Sequence, residues 1–337
     1  MQRRGVLVSP TTVNREARLR RLAVRLLLSG LLLIQQTGMA AMITVDGICT
    51  LIDAITAANS DAPEGSCASG ASGQDVLDVQ VDTLLTVVNN TTNGANGLPA
   101  VTSNILIMGN DHSVTRANVS QAFRIFDVEA TGFLQIDSLT VSQGKIDNTA
   151  ASPLGGGISN SGTLILRNST VSDNEITQTV GLGTYRGGGA IANEGTLTVL
   201  HSFITNNSVS QPDRTFGGGI FHAAGSLSIS NSTISGNSAT QSNSSTDPGY
   251  GARGGGIASY GATSDISLTN STVSDNSVYG TLTFGGGVYK GVNNGYLLTI
   301  TNSTISGNTT AGTTYPGATN PLVAGGGGVF EIGRAHV

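Results

Sequence analysis

The sequence predicts an all-β chain folded as a parallel β-helix, a solenoid, with a short helix capping its N-terminal end. Three observations carry this. The stretch Gly225-Ser-Leu-Ser-Ile-Ser-Asn-Ser-Thr-Ile-Ser-Gly-Asn237 recurs at 162–174, 195–207, 264–276 and 296–308, with a worn copy at 132–144. Every copy except the worn one follows a glycine run. Within each copy apolar residues alternate with polar ones, which is the period of a strand with one buried face. A repeat of about 30 residues with such strands and glycine corners specifies a solenoid.

Composition agrees. Charged residues make up 11% of the 337 residues and aromatics 4%, with 47 Gly and no Trp. Ordinary globular chains are about 25% charged. A thin repetitive core under a hydroxyl-rich surface fits these proportions better than a large spherical core does.

The first 40 residues read as a signal peptide. Arg3, Arg4, Arg15, Arg18, Arg20, Arg21 and Arg25 form a basic region, Leu26 to Ile34 an apolar run, and Gly38-Met39-Ala40 offers small residues at −3 and −1 of a cleavage site. The apolar run is shorter than the roughly 20 residues a spanning helix needs. Residues 41–330 then hold eight basic and 19 acidic residues, a net of −11. This balance argues against a nucleic-acid partner, because no basic patch is present to neutralise phosphates.

Residues 41–75 are expected to form the N-terminal cap. Cys49 and Cys67, 18 residues apart in an exported chain, are expected to form one disulfide. Thr50-Leu-Ile-Asp53 begins like a capping box, and Leu51, Ala54, Ile55 and Ala58 fall on one helical face. The first coil of a solenoid exposes an open apolar cross-section, which such a helix can cover. Cys49-Thr-Leu-Ile-Asp-Ala-Ile-Thr-Ala-Ala-Asn59 resembles the CSLREA segment of bacterial surface and secreted proteins. It departs from that segment at Thr50, Ile52 and Asp53.

From residue 76 onward the chain reads as one β-helical domain, to residue 330. Val76–Val81, Leu84–Val88, Ile105–Met108 and Phe123–Phe126 read as strands of early, irregular coils. The regular copies align on Val141, Val171, Ile204, Ile234, Val273 and Ile305, spaced by 30, 33, 30, 39 and 32 residues. Seven and five residues before each index position stand apolar residues, such as Leu227 and Ile229. Three residues after it stands Asn174, Asn207, Asn237, Asn276 or Asn308, with Gly144 in the worn copy. Three sheets are expected, with these asparagines stacked as a buried hydrogen-bonded ladder.

The pairing of glycine runs with [Val/Ile]-x-x-Asn resembles the repeats of chlamydial polymorphic outer-membrane proteins. That resemblance implies a right-handed parallel β-helix and an adhesin-like or autotransporter-like passenger. Residues 331–337 fit none of the repeat rules and match the translation of a common sequencing adapter. The expectation is a fragment whose outer-membrane or cell-wall anchor lies in a missing C-terminal part.

No catalytic residue, cofactor or metal site is predicted. The rival class is a carbohydrate-active β-helix enzyme, a polysaccharide lyase or hydrolase, but the Asn-Thr-Asp and Gly-His-Gly signatures of polygalacturonases do not occur. Asp173 and Asp275 precede ladder asparagines and read as turn residues. Asp137 and Asp265 lie on strands, with neutral stack neighbours expected. His201 takes the slot of Asn168, Asn231, Asn270 and Asn302, a corner position.

Two surface features remain. Outward hydroxyls line up as Thr198, Ser228, Ser267 and Thr299, with Ser230, Thr269 and Thr301 beside them. Variable insertions fall between each ladder asparagine and the next glycine run, and they carry Tyr185, Tyr250, Tyr279 and Tyr315. Constant register puts these insertions on one edge, the expected ligand face of a repeat protein. The expected role is an exported, non-catalytic surface protein whose partners are host or environmental glycans or surface proteins.

Overall fold

A computed structural model describes residues 40–118, 121–147, 155–179, 186–212, 214–242, 251–260, 265–291, 296–312 and 323–331. The expected leader lies outside them except for Ala40. The described chain is a parallel β-solenoid.

Five parallel sheets are present among the described residues, where three were expected. The long sheet has nine strands, from Met42–Val45 to Leu298–Thr301, and the index sheet has eight, from Thr83–Leu85 to Thr304–Ser306. The glycine sheet has seven, from Phe126–Val128 to Val329–Glu331. Two more sheets come from the insertions. An outgoing sheet of six strands runs from Lys145–Asp147 to Thr309–Gly312, and a returning sheet of five from Arg186–Gly187 to Val323–Gly325. Each insertion therefore leaves and rejoins the coil as ordered strand. Ala239 and Val278 of the outgoing strands pack with Ala252 of a returning strand, a core too small to stand out in the sequence.

The expected register is observed. Val141, Val171, Ile204, Ile234, Val273 and Ile305 are successive partners in the index sheet. Leu227 pairs with Leu197 and Ile266, and Ile229 with Val199 and Leu268. All of these except Ile305, which is half-buried, belong to one fully buried core. Early strands sit slightly off the expected positions. The strand expected at Phe123–Phe126 is Phe126–Val128, and the one expected at Leu84–Val88 is Thr83–Leu85.

The asparagine ladder is continuous. Nδ2 of Asn174, Asn207, Asn237 and Asn276 each donates to Oδ1 of the next rung at 2.9 Å. The same Oδ1 accepts the backbone N–H of the preceding rung at 3.0 Å. Nδ2 of Asn237 also donates to the index carbonyl one coil back, Ile204 O, at 2.9 Å. Gly144 cannot form a rung, but its N–H donates to Asn174 Oδ1 at 2.8 Å and so ends the ladder.

A second ladder of serines runs beside it. The N–H of Ser169, Ser202, Ser232 and Ser271 donates to Oγ of the serine one coil on, at 3.1–3.2 Å. Ser232 Oγ in turn donates to Ser230 O at 2.7 Å. The Asn-Ser-Thr triplet thus has a part for each residue. The asparagine turns the corner in the left-handed region (φ 49–50°), the serine stacks inward, and the threonine opens the index strand.

Glycine runs solve a crowding problem. Gly217 adopts φ +59°, and a Cβ there would lie 2.1 Å from Ile220 O. A Cβ on Gly218 would lie 2.5 Å from the Ser238 backbone of the outgoing strand.

The helix α1 spans Leu51–Ser60. Thr50 caps it by accepting the Asp53 N–H. Its buried face (Leu51, Ala54, Ile55, Ala57 and Ala58) belongs to the same core as Ile43, Leu77 and Ile105. Asn59 fastens it to the following coil, donating to Ala100 O at 2.7 Å and accepting from Thr102 N at 3.0 Å. Cys49 and Cys67 form the expected disulfide, with Cα atoms 4.7 Å apart.

Replacing a rung removes several buried hydrogen bonds at once and strands their partners, at about 1–3 kcal/mol for each orphaned group. Asn237→Ala is expected to lower stability by about 3 kcal/mol in urea denaturation, whereas Thr233→Ala stays within about 0.5 kcal/mol.

Candidate functional site

The predicted site residues divide into scaffold and surface. Asn174, Asn207, Asn237 and Asn276 are buried, Asn308 is half-buried, and all five belong to the scaffold. Asp173 and Asp275 occupy left-handed corners at φ 57°, as expected, and His201 does the same at φ 48°. Asp265 stands just before the long-sheet strand Ile266–Thr269 and not on it, and it accepts from Leu297 N of the next coil at 2.7 Å. Asp137 corrects the expectation of neutral neighbours: it pairs in register with Arg167 and accepts from Asn168 Nδ2 at 3.0 Å. Among the described residues no cluster of three metal-ligating side chains occurs.

The hydroxyl rows are in register. Thr198, Ser228, Ser267 and Thr299 are consecutive partners in the long sheet, as are Leu200, Ser230, Thr269 and Thr301. Of the insertion tyrosines, Tyr279 is described. It stands on an outgoing strand and is 48% exposed. Tyr185, Tyr250 and Tyr315 lie outside the described residues. What the strands do fix is where the insertions begin and end: each leaves from the outgoing sheet and comes back through the returning sheet.

The glycine sheet carries the most chemistry. Alternation sends Ile191, Ile220 and Ile257 into the main core, and sends Ala192, Phe221, Ala258, Tyr289 and Phe330 to the opposite side. In the later coils that opposite side is covered by aromatic side chains. Phe216 and Phe284 of the returning sheet lie 5.4 Å from Phe221 and 6.4 Å from Tyr289, and Arg253 stacks between them at 5.3 and 5.8 Å. Burial pushes the Arg253 guanidinium below its usual range, while Tyr289 and Tyr260 oppose that shift.

In the earliest coils no returning strand is present among the described residues, and the same side opens into a cleft of about 560 Å³. Its walls include Asn93 and Gly94 of an early loop, Arg124, Asp127, Glu129, Ser159 and Glu194. Asp127 and Ser159 are register partners in the glycine sheet. Arg124 and Asp127 are each 2% exposed and meet at 3.5 Å. Asn93 Nδ2 bridges the carboxylates, donating to Asp127 Oδ2 at 3.0 Å and Glu129 Oε1 at 2.7 Å. Burial pushes Arg124 below its usual range, and Asp127 opposes this. The sequence reading did not single out these residues. The available signal was three charges, Arg124, Asp127 and Glu129, within six residues of a charge-poor chain.

A polar column also runs through the corner of the glycine sheet. Asn160 Nδ2 donates to Asn193 Oδ1 at 2.6 Å, and Asn193 Nδ2 meets His222 Nδ1 at 2.9 Å. The latter contact places a lone pair on Nδ1 and makes the ring neutral. His222 is fully buried, its Nε2 has no partner among the described residues, and burial holds its pKa down to about 4. Comparison of the chain with protein-family models, curated proteins and solved structures gives no match.

His222 gives the fold a pH dependence. The unfolded chain binds the proton near pH 6.5 and the folded chain only near 4. Stability is therefore fully present above about 6.5 and is lost as pH falls toward 4, by up to about 3 kcal/mol. His222→Asn, which repeats the Asn193 rung, is expected to flatten that part of the slope when urea midpoints are compared across this pH range.

Proposed function

We propose that the chain is an exported, surface-associated protein, a non-catalytic adhesin or autotransporter-like passenger. In this reading the β-helix is right-handed and α1 caps its N-terminal end. One observation carries the functional reading: a coil held in constant register bears its longest insertions between the same two sheets, the outgoing and the returning one. Such an edge can vary in sequence without disturbing the ladders that hold the rod. The Cys49–Cys67 disulfide supports export, since such bonds persist in oxidising compartments. The handedness draws support from the strong bias of parallel crossovers. The capping role draws support from the apolar face of α1, which joins the solenoid core at its first coils.

A carbohydrate-active enzyme has one observation in its favour, the three carboxylates of the cleft. Against Arg124 they leave two negative charges in excess, which repel polyuronate substrates such as pectin and alginate. Incubation with either polymer is expected to release neither reducing nor unsaturated ends.

Two measurements test the proposal. Expression of the full chain in a bacterial host is expected to give protein outside the cytoplasm that begins just after Ala40; retention with the leader intact would overturn export. On a glycan array, the combined Tyr185→Ala, Tyr250→Ala, Tyr279→Ala and Tyr315→Ala variant is expected to bind fewer glycans, and more weakly, than the parent. Equal binding by the two would remove the insertion edge from recognition.

A further inference from the structure

The cleft beside the first strands of the glycine sheet is a second place where the molecule can recognise something, independent of the insertion edge and of export. Its central feature is Arg124. A guanidinium carries five N–H donors. Among the described residues this one makes a single hydrogen bond, from Nη1 to Asp127 Oδ1 at 3.5 Å, at the long limit for such a bond. Its Nε is buried without a partner. Its Nη2 lies against Gly94, 3.2 Å from where a Cβ would stand, and Gly94 is itself part of the cleft wall. A buried cation left this short of acceptors is costly unless something else supplies them.

The rest of the lining is of the opposite kind. Asp127, Glu129 and Glu194 are acceptors, and Ser159, Ser161 and Thr92 add hydroxyls. A ligand that fits must therefore accept from Arg124 and donate to the carboxylates within the same small volume. A simple anion satisfies the first demand but meets the excess of two negative charges. A simple amine satisfies the second but faces the guanidinium. Neighbouring hydroxyls on a sugar ring satisfy both, because each hydroxyl donates once and can accept as well. About 560 Å³ lies within the usual range of small-ligand pockets and accommodates a short saccharide.

The geometry points to a binding site for a neutral saccharide, with a vicinal diol of one ring spanning Arg124 and Asp127. Asn93 holds the Asp127 and Glu129 carboxylates in place for it. Among the described residues no aromatic ring lines the cleft, so recognition rests on polar contacts and discriminates by hydrogen-bond pattern and charge.

The fold itself supplies a blocking variant. Ser159 stands in the column that holds Phe221 and Tyr289 in later coils, so an aromatic residue suits this sheet position. Ser159→Phe is expected to fill the cleft and leave the thermal melting of the chain unchanged. Saturation-transfer NMR on the full chain would use methyl glucoside, methyl galactoside and methyl mannoside as neutral probes, with glucuronate and glucosamine as charged ones. The expected result is transfer to at least one neutral glycoside, little to either charged sugar, and loss of the neutral signal in Ser159→Phe. Arg124→Lys keeps the charge but not the fork, and is expected to weaken the same signal at least tenfold. The four-tyrosine variant is expected to keep it, which separates this site from the insertion edge. No transfer to any neutral glycoside, stronger transfer to a charged sugar, or a signal that survives Ser159→Phe would each overturn the inference.

Discussion

A buried primary amide must have its hydrogen bonds met, and in this molecule each coil meets those of the next. Asn207 accepts from the backbone and side chain of Asn174, and donates to Val171 O and to Asn237 Oδ1. Slipping one coil by a residue would orphan those groups and also turn every core side chain of the long sheet outward. The amide ladder therefore fixes register more strictly than apolar contact does, since Leu, Ile and Val exchange freely at the core positions. The serine ladder adds the same constraint one corner earlier. Between them they fix the coil from the end of the long strand to the start of the outgoing strand.

Variation is confined to what the ladders leave free. Insertions change length between the outgoing and the returning strand, and a second, smaller variation falls between the glycine sheet and the long sheet, where equivalent positions are four residues apart at Asn193 and Leu197 and eight apart at Lys290 and Leu298. This explains why index spacings range from 30 to 39 residues while every coil stays in register. The aromatic cover over the glycine sheet depends on the same arrangement. Phe216, Arg253 and Phe284 reach Phe221 and Tyr289 because the returning strands bring them there.

Much of the scaffold was legible in the sequence because it repeats. Leu227, Ile229, Ile234 and Asn237 each have counterparts at fixed offsets, and all four stand where the pattern places them. Asn231 and His201 were legible as corners because only a left-handed turn makes those two residues interchangeable there. The serine ladder was visible but unread: a serine two residues before the index position looks like surface until its burial is known. The outgoing and returning sheets were hidden for a different reason. Their strands are short, their inward residues change from Val209 to Ala239 to Val278, and pairing between coils, not any local pattern, makes them strands. The cleft was the least legible feature, because its walls come from residues as far apart as Thr91 and Glu194.

The position of the cleft follows from the same logic as the rest of the fold. The side of the glycine sheet facing away from the core needs either cover or polar residues. Where returning strands exist, Phe221, Ala258 and Tyr289 accept aromatic cover. The first two strands of the sheet have Asp127 and Ser159 at that position instead. A charged residue there is tolerable only if paired, and Arg124 supplies the charge. Yet among the described residues Arg124 is held by one long hydrogen bond, whereas Asp127 also receives Asn93, so the pair is better satisfied on its acidic side than on its basic side. A structural ion pair would be expected to close both sides. The imbalance, in a walled cleft with hydroxyls around it, is what distinguishes this corner of the solenoid from the many polar groups that the ladders satisfy completely.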